Sequence, residues 1–152
     1  VLKNIFVARA FNSDHQMLLL EKVTEMVKAG EPIKLLIVDS LTAHFRAEFS
    51  GRGQLADRQQ KLNRYMHDLM KLAETHNLAV YVTNQVMANP AQMFGDPTTA
   101  IGGNIVGHAS TYRLYLRRGK QGSRVAKLID SPNLPDNETV YYVTAGGISD
   151  KE

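Results

Sequence analysis

The chain has 152 residues, 43% of them hydrophobic and 22% charged, with a formal net charge of +3 and no cysteine. This is the composition of a globular chain long enough for one domain with a proper core. It excludes disulfide staples and thiolate metal sites, and no apolar run is long enough to span a bilayer. No signal-peptide pattern opens the chain, so the expected setting is cytoplasmic, in a reducing interior, with no membrane partner. The mild basicity permits a polyanionic partner without requiring one.

Asn4-Ile5-Phe6-Val7-Ala8 has the pattern of a short buried strand. Asn12-Ser13-Asp14 supplies capping residues for a helix in which Met17, Leu18, Leu20, Val23, Thr24 and Val27 follow at helical spacing. Gly30 ends it and Pro32 prevents its resuming. Leu35-Leu36-Ile37-Val38 is then a short apolar run between Lys34 and Asp39, the pattern of a strand buried on both faces of a helix-covered parallel sheet. Strand, helix and strand make a βαβ unit, whose two strands run parallel. A chain that opens directly on a strand is expected to begin inside a domain.

Asp39 stands at the carboxyl end of its strand, where open α/β sheets bind ligands. A carboxylate beside the Ser40 hydroxyl suits a hydrated Mg²⁺ carrying nucleotide phosphates, the Walker B arrangement. Asp and Ser are also good helix caps, and a strand that merely leads into a cap needs no ligand.

Leu41 to Arg46 reads as a short helical turn. Phe49-Ser50-Gly51-Arg52-Gly53-Gln54 is a loop in which two glycines flank a guanidinium. From Leu55 to about Thr75 a long helix places Leu62, Tyr65, Met66, Leu69, Met70 and Ala73 on one face. Arg58, Lys61, Arg64, Lys71 and Glu74 lie on the other. Leu78 to Gln85 is a second buried strand with a polar end, so Gln85 is expected near Asp39 at the same edge of the sheet. Met87 to Ala100 lacks periodicity and reads as a long surface loop, usually functional or disordered in a compact domain. Gly102-Gly103-Asn104 opens a short helix through His108. Thr111 to Arg118 and Arg124 to Asp130 form a β-hairpin about Gly119–Gly122. Ser131 to Asp136 is a loop stiffened by Pro132 and Pro135, and Thr139 to Thr144 is a last strand. The expected fold is a single α/β domain over the whole chain, a mostly parallel sheet flanked by helices with an antiparallel carboxyl-terminal extension.

Several segments, in this order, carry a resemblance. They are Ala8-Arg9-Ala10-Phe11-Asn12-Ser13-Asp14-His15-Gln16, Leu36-Ile37-Val38-Asp39-Ser40-Leu41-Thr42, Phe49-Ser50-Gly51-Arg52-Gly53, Arg58-Gln59-Gln60, Thr83-Asn84-Gln85-Val86, Ile101-Gly102-Gly103-Asn104 and Asp130-Ser131-Pro132. Together they resemble the carboxyl part of the RecA-like P-loop ATPase core of strand-exchange recombinases, in particular the archaeal RadA group. The resemblance implies that Asp39 is the Walker B aspartate, holding Mg²⁺ through water, with Ser40 beside it. Gln85 becomes the sensor of the ATP γ-phosphate. Phe49–Leu55 becomes a first DNA-binding loop, with Arg52, Gly53 and Arg58 at phosphates. Met87–Gly103 becomes a second, with Met87, Asn89, Phe94, Gly102 and Gly103 at DNA. His108 looks toward the neighbouring protomer's nucleotide, and Asp130, Pro132 and Pro135 belong to the segment that caps its adenine. Phe6, Ala8, Leu19, Val23 and Met26 line a pocket for a phenylalanine from a neighbour's linker or from a mediator protein.

Plainer readings stand beside these. Arg58 can cover its helix with its stem, Gln85 can satisfy a strand end, and His108 can pack or cap. Arg117, Arg118, Lys120 and Arg124 can form a solvated hairpin face, and Phe6, Leu19, Val23 and Met26 can be core. The sequence holds no Gly-x-x-x-x-Gly-Lys-Ser/Thr. Gly119-Lys120-Gln121-Gly122-Ser123 lacks its spacing. In the family, the P-loop and the glutamate that activates water precede the point matching Val1. The P-loop half is therefore missing, and the expectation is a fragment that does not hydrolyse ATP alone.

The resemblance thus implies part of a DNA-dependent ATPase that forms helical filaments on single-stranded DNA. Such filaments pair the strand with homologous duplex DNA and exchange strands in recombination and repair. The alternatives are a non-catalytic recombinase fragment or paralogue that binds proteins through the Phe6–Met26 pocket, and a ring-forming RecA-core motor such as a hexameric helicase.

Overall fold

A computed structural model describes residues 2–49, 51–88 and 98–150, which fall into two units, one ending at Ala109 and the other beginning at Ser110. In the first unit, helix α1 (Ser13–Lys28) starts at Asn12, whose extended backbone and side-chain oxygen form the N-cap. Asn12 Oδ1 accepts from the His15 amide at 2.7 Å, satisfying one of the otherwise orphaned first-turn donors. The helix gives way at Gly30, whose φ of 98° suits a residue without a Cβ. Strand β1 (Leu35–Val38) follows, then helix α2 (Ala43–Glu48), helix α3 (Leu55–His76) and strand β2 (Ala79–Val82). Asn77, with φ 50° and ψ 55°, closes α3 in the left-handed conformation that asparagine tolerates.

β1 and β2 pair in parallel, from Leu35 opposite Ala79 to Val38 opposite Val82. Strand β3 (Val86–Ala88) pairs antiparallel with β4 (Thr98–Ala100), and helix α4 (Gly103–Ala109) ends the unit. α3 is the spine of the core: Leu62, Tyr65, Met66, Leu69 and Leu72 are buried with Leu20 of α1, Leu41, Phe45 of α2, Leu78 and Val106 of α4. The Phe45 and Tyr65 rings meet at 5.9 Å between centroids. Each such side chain contributes about 1.5–3 kcal/mol by leaving water.

The second unit is an antiparallel meander of four strands, β5 (Arg113–Arg118), β6 (Arg124–Asp130), β7 (Asn137–Thr144) and β8 (Gly147–Ser149). Gln121 and Gly122, with φ of 53° and 79°, make the tight turn between β5 and β6. The α/β class holds, with parallel strands against helices and antiparallel strands toward the carboxyl end. No helix among the described residues is long and apolar enough to cross a membrane.

Four local expectations are corrected. Asn4–Ala8 is not a strand: Leu2–Asn4 forms a single 3₁₀ turn and Phe6 and Val7 are exposed. A strand exists through its hydrogen-bonded ladder, and β1 pairs with β2 alone among the described strands. The parallel unit is therefore β1–α3–β2. Nor are β1 and β2 buried on both faces. Leu36, Val38, Val80 and Val82 pack on the helical core, whereas Leu35, Ile37 and Tyr81 are half exposed. Met70 lies off the buried stripe of α3 and Leu72 is on it, because the residue after Leu69 points about 100° away. Finally, the base of the long loop is the β3–β4 ladder rather than irregular chain.

Candidate nucleotide and nucleic-acid site

The parallel register decides what meets at the rim of the first unit. Because Val38 lies opposite Val82, the next residues, Asp39 and Thr83, leave the pair side by side. Thr83 Oγ1 donates to Asp39 Oδ1 at 2.5 Å, and the Leu41 amide donates to the Thr83 carbonyl at 2.9 Å. Asp39 is exposed, held by a neutral donor, with its other oxygen available to a ligand. The Asp39–Ser40 peptide is cis. Ser40 Oγ is buried without a hydrogen-bond partner. A single accessible carboxylate beside an orphaned hydroxyl fits a cation that keeps most of its water shell, as Mg²⁺ does.

Gln85 lies two residues past Thr83 and is exposed, and the side chain bonded to Asp39 is that of Thr83. Between them, Asn84 spans two segments. Its Oδ1 accepts from Thr42 Oγ1 at 2.7 Å and its Nδ2 donates to the Ile101 carbonyl at 2.6 Å. The Ile101 amide in turn donates to the Gln85 carbonyl at 2.9 Å. The turn after β1, the end of β2 and the return of the long loop are thus tied in one network. The sequence pattern gives Thr83 and Asn84 no individual role, although both belong to a segment that carries the resemblance. Their signal was the polar triplet Thr83-Asn84-Gln85 directly after an apolar strand.

Asp39 and Ser40 also line a cavity of about 690 Å³ with Phe6, Ala8, Leu19, Val23 and Met26. The structure therefore brings the expected ion-holding residues and the expected protein-binding residues to the walls of one hollow. Tyr65 also lines it. Burial pushes its phenol above the ordinary 10.0, and a hydrogen bond with Gln16 works the other way.

The first loop is short. Arg52–Gln54 is a 3₁₀ turn, closed by the Gln54 amide donating to the Gly51 carbonyl at 3.1 Å. Gly53 is exposed, Arg58 is half-buried on the first turn of α3, and the Arg52 side chain lies outside the described residues. In the second loop Met87 is half exposed on β3, while Asn89 and Phe94 lie outside the described residues. Gly102 is buried with a φ of 97°, and a Cβ there would come within 2.6 Å of Val106 Cγ2 and 3.2 Å of Leu62 Cδ2. Only glycine fits that close approach. Gly103 begins α4 and His108 is exposed in its last turn.

In the second unit, Asp130 Oδ2 accepts from Arg113 Nε at 3.0 Å and Nη2 at 2.6 Å. Ser131 Oγ accepts from the Leu134 amide at 3.0 Å, and the Tyr112 hydroxyl donates to Asn133 Oδ1 at 3.2 Å. The loop that carries exposed Pro132 and Pro135 is thereby tied within itself and to Tyr112, which precedes β5.

The profile of the Rad51 family matches residues 1–151. The chain is 59% identical over 151 residues to the DNA repair and recombination protein RadA of Methanocorpusculum labreanum, a match covering 97% of this chain and 46% of that protein. It is 58% identical over 152 residues to the protein of the same name from Methanoculleus marisnigri, covering 97% and 47%. The chain spans about half the length of these relatives. With a profile match over almost every residue, the chain belongs to the Rad51 family.

Proposed function

We propose that these residues are the carboxyl-terminal part of one ATPase core, to which both units belong, in a DNA repair and recombination protein. The whole protein would be a DNA-dependent ATPase that forms a helical filament on single-stranded DNA, pairs it with homologous duplex DNA and exchanges strands. The observation that carries this reading is the network at the rim: Asp39, Thr83 and Asn84 are joined by side-chain and backbone hydrogen bonds to Ile101, at the return of the second loop.

Asp39 and Ser40 would hold a hydrated Mg²⁺ on ATP, which when bound neutralises phosphate charge. Thr83 orients the Asp39 carboxylate. Gln85 would sense the γ-phosphate, and its backbone bond to Ile101 supports a coupling between nucleotide state and the second loop. Arg52, Gly53 and Arg58 would meet phosphates from the first loop without reading sequence. Met87, Asn89, Phe94, Gly102 and Gly103 belong to the second. Burial of Gly102 favours a role at that loop's foot rather than at its tip. His108, Asp130, Pro132 and Pro135 would face a neighbouring protomer's nucleotide, in a cytoplasm shared with DNA. Phe6, Ala8, Leu19, Val23 and Met26 would take a phenylalanine from a neighbour or a mediator.

Asp39 cannot hold ATP unaided, because a P-loop supplies most phosphate contacts. ATP hydrolysis is therefore expected from the whole protein, raised by single-stranded DNA, and none from these 152 residues alone. Turnover by the isolated chain, or a whole protein indifferent to DNA, would refute the assignment. The cavity wall formed by Phe6, Leu19, Val23 and Met26 supports a second reading, a non-catalytic module that binds other proteins. A labelled phenylalanine peptide that binds a whole protein lacking DNA affinity would favour it.

A further inference from the structure

Outside the rim and the cavity, one polar cluster has no part in the function described so far. Glu48, the last residue of α2, reaches back to the amino-terminal end of α1. Its Oε1 accepts from the Ser13 amide at 2.6 Å, and its Oε2 accepts a short hydrogen bond from Ser13 Oγ. Ser13 is fully buried. Lys61, on the second turn of α3, donates from Nζ to Ser13 Oγ at 2.8 Å and pairs with Asp14 at 2.8 Å. The same ammonium lies 5.4 Å from the centroid of the Phe49 ring.

Each contact has a physical reason. A carboxylate at a helix amino terminus meets unsatisfied N–H groups and the positive end of the helix dipole. Charge-assisted hydrogen bonds of this kind are about twice as strong as neutral ones. Lys61 completes the cluster by satisfying the buried hydroxyl and resting on an aromatic face. The side chain of Lys61 is 22% exposed but that of its partner Asp14 is 82% exposed, so salt still screens the pair. The result is a strut that ties the start of α1, the end of α2 and the second turn of α3 to one another. The only chain between the end of α2 and the start of α3 is the first loop.

We infer that Ser13, Glu48 and Lys61 are positioning residues for the first loop: they fix both of its ends, and so set where Arg52 and Arg58 can meet phosphate. The inference rests on reading Phe49–Leu55 as a DNA-binding loop. The sign of the Glu48 effect separates a strut from a bystander. Glu48 is an anion at the foot of a phosphate-binding loop, so as a bystander its removal should tighten DNA binding by simple electrostatics. As part of the strut, its removal should weaken it.

The test uses the whole protein with ATP and fluorescent single-stranded DNA. Glu48→Gln is expected to bind DNA about tenfold more weakly, the effect of one lost charge-assisted hydrogen bond. Ser13→Ala changes no charge and is expected to weaken binding in the same direction, while Ser13→Thr, which keeps the hydroxyl, restores it. Affinity for a fluorescent ATP analogue is expected to be unchanged in all three. DNA binding by Glu48→Gln or Ser13→Ala as tight as the parent's overturns the strut, as does an equal loss of ATP and DNA affinity. A parent protein that itself fails to bind DNA overturns the functional reading instead, and the strut with it.

Discussion

The two loops of the first unit stand on different foundations. The first is held by side chains that carry charge: Glu48, Lys61 and Asp14 gathered about one buried serine. The second is held by backbone pairing of β3 with β4, by the neutral amide of Asn84, and by the fit of Gly102 against α3 and α4. Both use the same turn of α3, since Lys61 serves one and Leu62 the other. Charge makes the first foundation sensitive to salt. Shape and backbone bonding make the second indifferent to salt but intolerant of added atoms.

The strongest challenge to that contrast is Gly102→Ala. The added methyl would meet Val106 at 2.6 Å in a backbone conformation that L-residues rarely adopt. Overpacking and a positive φ together cost about 2–4 kcal/mol. A thermal unfolding scan of the whole protein should show the loss, and a variant as stable as the parent would show that the second foundation does not depend on shape. Asn84→Ala should have an intermediate effect. It leaves Thr42 Oγ1 and the Ile101 carbonyl without their partner, a cost of about 1–3 kcal/mol. Because it severs a tie between rim and loop, stimulation of ATP hydrolysis by DNA should fall further than ATP binding does. Equal losses would reduce Asn84 to a packing residue.

The smallest effect concerns Tyr65, which lies one turn beyond Lys61 and Leu62 and belongs to the scaffold under both loops. Its phenol is raised above 10.0 by burial, so the folded state keeps a proton that the unfolded chain gives up first. The stability this contributes is complete below about pH 10 and is lost as pH rises through the folded value. Tyr65→Phe should therefore lose less stability than the parent as pH rises above about 10, followed by denaturant titration. Alkali should release both loops together, whereas salt should release the first alone.

Much of this was legible beforehand, for reasons that can be named. Asn12-Ser13-Asp14, Gly30 and His76-Asn77 mark helix ends through local hydrogen bonding and backbone preference, and the structure ends its helices there. Asp39 and the Thr83-Asn84-Gln85 triplet could be placed at one rim because two apolar runs joined through a helix pair in parallel. What could not be read depends on partners distant in sequence. Asn4–Ala8 has strand composition but pairs with no strand among the described residues, and the half-exposed face of β1 reflects what packs on it rather than what it is made of. That the Thr83 side chain is the one bonded to Asp39 is a matter of register, which a sequence pattern leaves open by a residue or two. The strut was equally hidden, since Ser13, Glu48 and Lys61 come from three helices and each alone reads as a cap or a surface charge.

The cavity shared by Asp39, Ser40, Phe6 and Met26 has walls of unlike stiffness. One is a helix of 16 residues, and the other is a ribbon of chain that no strand pairs with among the described residues. Segments without a ladder shift at little free-energy cost, whereas a packed helix does not. A hollow built this way would widen from one side only, so a bulky side chain placed in it would displace the ribbon before it disturbed Asp39.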